Sequence, residues 1–64
     1  MIKVIFKEPQ LIGNKQGDAI ALFCLCTSYV TLSNGYFFYE FGEIIGMVIK
    51  NQVQSIEHVK PTDL

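Results

Sequence analysis

Cys24 and Cys26 are the residues best suited to chemistry in this sequence. A thiolate is both a nucleophile and a soft metal ligand. The two stand one residue apart, so in a strand they share a face at roughly 6.5–7 Å, too far for an unstrained disulfide. A structural zinc site wants four ligands, typically in CxxC-type pairs. Cys-x-Cys with the single histidine, His58, falls short of that set. A Cys–His nucleophile pair would need an exposed thiol beside His58. Both cysteines instead lie in the most apolar stretch, where a thiol stays protonated. They read as small core residues; metal or redox work through Cys24 and Cys26 is a third functional alternative. No metal and no cofactor are expected.

The acids Glu8, Asp18, Glu40, Glu43 and Glu57 read as solvated charges, because none pairs in sequence with a plausible base. The glycines of Gly13-Asn14-Lys15-Gln16-Gly17-Asp18 have no phosphate-loop spacing, and no GK[ST] follows. The chain is therefore read as non-enzymatic.

The remaining chemical signal is aromatic. Asn34-Gly35 suits the two positive-φ positions of a type I′ hairpin turn. The register this predicts sets Ser33 opposite Tyr36, Leu32 opposite Phe37, Thr31 opposite Phe38 and Val30 opposite Tyr39. One face then holds Val30, Leu32, Phe37 and Tyr39, the expected core. The other holds Tyr29, Thr31, Tyr36, Phe38 and Glu40, with Ser33, and is the expected binding face. Aromatics on a β face can stack the bases of single-stranded nucleic acid, which is the second functional reading. Arginine is absent and the five lysines are scattered, so a nucleic-acid partner is disfavoured against a protein partner.

These residues need elements to position them. Ile2, Val4 and Phe6 alternate with Lys3, Ile5 and Lys7, predicting a strand that Glu8-Pro9 ends. The segment after it, from Gly13 to Asp18, reads as a loop. Ala19–Ser33 reads as one long strand with a bulge or bend near Thr27-Ser28. For residues 43–60 two readings stand. One is a strand Ile44–Ile49, a turn at Lys50-Asn51-Gln52, and a last strand near Ser55–Val59, with Val53 and Ile56 on either side of a short 3₁₀ turn. The other is an amphipathic helix, supported by Ile45, Ile49, Val53, Ile56 and Val59 at near-helical spacing. The first is preferred because of the β-branched run and Gly46. Thr62-Asp63-Leu64 is read as a short tail.

The expected fold is thus mainly β. It is a small antiparallel sheet or SH3-like, partly open barrel of four or five strands, in a single domain over residues 1–64. The alternative is an α+β fold, a three-stranded sheet with a C-terminal helix over 43–60. Residues 19–39 carry no charge, but the turn in their middle argues against a membrane helix. No secretory signal is read, so reduced thiols and a cytoplasmic location are expected.

Half of the 64 residues are apolar and 17% are charged. So small a globule has little interior in which to hide them. The expectation that follows is a protein-interaction module that self-associates as a homo-oligomer or docks on a larger protein as an inhibitor or accessory factor.

Overall fold

Alternation sets the first strand: Ile2, Val4 and Phe6 are buried, while Lys7 is exposed and Lys3 and Ile5 are half-buried. The computed structural model describes residues 1–14 and 17–60, so Lys15-Gln16 of the expected loop and the expected 62–64 tail lie outside the described residues. The elements are β1 (Ile2–Asn14), β2 (Gly17–Cys26), β3 (Ser28–Thr31), β4 (Gly35–Glu40), β5 (Glu43–Ile49), a 3₁₀ turn (Lys50–Gln52) and β6 (Val53–His58). They form two antiparallel three-stranded sheets, ordered β2-β1-β6 and β3-β4-β5. The chain is mainly β, as expected. Residues 43–58 form strand, 3₁₀ turn and strand, so the helix alternative over 43–60 is overturned.

Proline does not end β1. The strand continues past Glu8-Pro9 to Asn14, and its register against β2 lapses between Ile5 and Gln10. Pro9 falls inside that lapse, where its missing N–H removes no ladder bond. The expected loop shrinks accordingly, because Gly13 pairs with Asp18 and Asn14 with Gly17.

The long stretch expected as one strand is two. A bend at Thr27 separates β2 in the first sheet from β3 in the second. This bend changes which residues face inward. Cys24 and Cys26 are buried on β2, but on β3 the odd-numbered Tyr29 packs against the core while Val30 is 47% exposed. An extra residue in a strand turns the following side chains to the opposite face.

The core lies between the sheets. Ile2, Val4, Phe6, Ile12, Cys24 and Cys26 come from the first sheet, and Phe38, Ile45 and Val48 from the second. Phe6 and Phe38 meet across it at 6.3 Å between ring centroids. The sheets approach closely where β1 passes β5. A side-chain carbon on Gly46 would lie 3.0 Å from Ile12 Cδ1, and one on Gly13 would lie 3.3 Å from the Ile45 carbonyl oxygen.

Candidate interaction surface

The hairpin expected at Asn34-Gly35 is present, but its turn lies one residue earlier and its faces are reversed. Leu32 N–H donates to the Gly35 carbonyl at 2.8 Å, and the pairs are Thr31–Tyr36, Val30–Phe37, Tyr29–Phe38 and Ser28–Tyr39. The two groups of side chains remain together as expected, because the shift is an even number of residues. Their surroundings do not. Phe38 is fully buried, and Tyr29 and Tyr36 are half-buried against the core, in ring contact at 5.9 Å with each other. Tyr36 also stacks on Phe38 at 6.0 Å. The expected binding face of Tyr29, Thr31, Tyr36, Phe38 and Glu40 is therefore the inward one. Thr31 is exposed and Glu40 is half-buried. The expected core group is the outward one.

Asn34-Gly35 does not adopt the positive φ angles of a type I′ turn. Among the described residues these occur at Gly17, Phe41 and Gly42. Gly35 serves a steric purpose instead: a side-chain carbon there would sit 2.8 Å from the Val48 carbonyl oxygen. The consecutive positive-φ pair falls at Phe41-Gly42, at 50° and 85°, between the paired Glu40 and Glu43. Left-handed backbone is uncommon for a bulky residue and costs about 1–2 kcal/mol. Thr27 holds this turn. Its Oγ1 accepts from Phe41 N–H at 2.9 Å and donates to the Tyr39 carbonyl at 3.2 Å. Phe41 itself is 73% exposed.

The outward face of β3-β4-β5 is built from cross-strand rows. Val30, Phe37 and Met47 face one another across the three strands, and Ser28, Tyr39 and Ile44 form the neighbouring row. Ile49 stands opposite Gly35. Phe38 and Val48 point inward, so Phe37, Tyr39, Met47 and Ile49 point outward by the alternation of a strand. Val30, Ile44, Met47 and Ile49 are all about half exposed. None of the residues in these rows carries a charge. The face is an uncovered apolar sheet surface. Sequence reasoning named Val30, Leu32, Phe37 and Tyr39 as core and expected a bend near Thr27-Ser28; that bend is present and was the signal for the reversed facing of the residues beyond it.

Two further places hold groups capable of chemistry. A groove of about 210 Å³ runs between the β1–β2 hairpin and β5, lined by Ile12, Ala19, Ala21, Phe23, Ile45 and Glu40 among others. Glu40 is the one acid among its lining residues, and no base stands beside it there. The thiols of Cys24 and Cys26 are free and buried. Burial, reinforced by the neighbouring Cys26, pushes the Cys24 thiol up to about 12. Burial likewise raises the Cys26 thiol. Among the described residues no group of three His, Cys, Asp or Glu side chains could hold a metal ion, and His58 stands exposed on β6. No helix among them is long and apolar enough to cross a membrane.

Comparison with protein-family models, curated proteins and solved structures gives no match for this chain.

Proposed function

We propose that the protein is a non-enzymatic interaction module whose working surface is the outward face of β3-β4-β5. The observation that carries this reading is the uninterrupted apolar row Val30–Phe37–Met47, extended by Tyr39, Ile44 and Ile49. Large contiguous apolar patches on small soluble domains mark interaction sites. The molecule's total accessible surface is 4405 Å², close to the roughly 4,100 Å² that area–mass scaling gives for a chain of this size. Its apolar exposure therefore comes from which side chains face outward and not from an opened-out chain. Protonated, buried thiols and a groove with a lone carboxylate offer no nucleophile or acid–base pair, which favours binding over catalysis. Free, buried cysteines suit a reducing compartment such as the cytoplasm.

The test is capture from an extract of the native host by tagged wild-type chain and by a Met47→Lys/Ile49→Lys variant. Both positions are exposed, so the variant is expected to fold, as circular dichroism would check. Wild type is expected to retain a partner, either another protein or untagged copies of itself, that the variant loses. Identical retention by both would overturn the reading.

A further inference from the structure

Resting on that reading, we infer that the occupant of the face is a second copy of this chain. The two β3-β4-β5 sheets then stack face to face about a two-fold axis. The exposed area approaches what a dimer needs. Val30, Ile44, Met47 and Ile49 are 47%, 60%, 56% and 55% exposed. With the half-buried Phe37 and Tyr39, whose rings measure roughly 150–250 Å² each when fully exposed, they leave on the order of 450 Å² of mainly apolar surface per copy. Two such faces bury close to the roughly 1,000 Å² that a specific interface needs, before any polar rim is added.

Charge points the same way. The rows of the face hold no side chain that is charged at neutral pH; Glu40, Glu43 and Lys50 stand at its ends. A copy presents a surface equally free of charge, so closing the pair strands no ion. A two-fold axis also makes the interface self-complementary: each patch meets its own duplicate. Two apolar sheet faces packed about 10 Å apart form the ordinary interior of a β sandwich.

The chain has a second exposed apolar group, Leu11, Ile20 and Leu22 on the β1–β2 hairpin, at 63%, 74% and 55%. It supplies the control. Sedimentation equilibrium of the purified chain from one to a hundred micromolar is expected to show a dimer. Met47→Lys is expected to raise its dissociation constant at least about 100-fold, because it places an ammonium in an apolar contact. Ile20→Lys and Leu22→Lys are expected to leave the dimer intact. A wild type that is monomeric at a hundred micromolar overturns the inference. So does a dimer that dissociates with Leu22→Lys and persists with Met47→Lys. If wild type is monomeric but still captures a host protein that Met47→Lys/Ile49→Lys loses, the second copy is ruled out and the interaction reading survives. If wild type is monomeric and captures nothing specific, both fall.

Discussion

Phe41 is the residue at which local preference and structure conflict most. A phenyl group at φ 50° occupies backbone that favours glycine or asparagine. Phe41→Asn is expected to stabilise the fold by about 0.5–1 kcal/mol, since asparagine enters this region more easily. Urea unfolding measures it, and a lower midpoint with an unchanged slope would contradict the argument. The Cys24 thiol makes stability depend on pH. In the folded state it titrates near 12, against an ordinary value near 9. Below pH 9 both folded and unfolded chains keep the proton. Between 9 and 12 the unfolded chain releases it and the folded chain does not. Stability is therefore lost as pH rises, by about 1 kcal/mol per pH unit from this group. The wild type is expected to lose more stability between pH 9 and 11 than Cys24→Ala does. Parallel pH profiles for the two chains would refute this.

The elements themselves were largely legible in the sequence. β-branched residues and Gly46 argued for strands in 44–49, and the turn expected at Lys50-Asn51-Gln52 is present as a 3₁₀ turn, whereas the 3₁₀ element expected between Val53 and Ile56 is part of strand β6. What was not legible was facing. Val30, Phe37, Tyr29 and Phe38 are all apolar or amphipathic, so alternation alone separates two groups without saying which is inside. The bend at Thr27 decides it: the length of the stretch signalled the bend, but not which way it turns the residues beyond it. The turn chemistry misled for a related reason. Asn34-Gly35 matches a primed turn, yet Gly35 is needed because Val48 leaves no room for a side chain. Gly35→Ala is accordingly expected to cost about 2–3 kcal/mol, the range of an overpacked site. Gly46→Ala is crowded by the Cδ1 tip of Ile12 at 3.0 Å, its backbone neighbours lying at the ordinary contact distances of 3.8 and 3.9 Å, and is expected to cost about 1 kcal/mol. That smaller loss should shrink in an Ile12→Val background, where the opposing methyl is gone, whereas the Gly35→Ala loss should not. Equal behaviour of the two variants in that background would contradict the packing argument.

At the scale of the whole molecule, the fold divides its apolar residues between two tasks. Nine close the space between the sheets. Others stand on a surface the fold leaves open. A chain with so many apolar residues and so small an interior has this problem by geometry, and the association proposed above would relieve it. Composition alone pointed to an apolar excess. Only the three-dimensional arrangement shows which apolar residues stand outward, on the face opposite to the one the hairpin register suggested.

The pairing of β1 with β6 has a kinetic consequence. Ile2 meets His58, Val4 meets Ile56, and Val59 N–H donates to the Met1 carbonyl at 2.9 Å. The other ladders join strands adjacent in sequence, across short turns or loops. Bringing β6 to β1 instead closes a loop of some fifty residues, which costs about 2 kcal/mol more entropy than a four-residue turn. The β1–β2 hairpin and the β3-β4-β5 meander can therefore form first, with β6 arriving last. Changes confined to Val53–His58 then act on how fast the folded chain opens and leave its rate of formation nearly untouched.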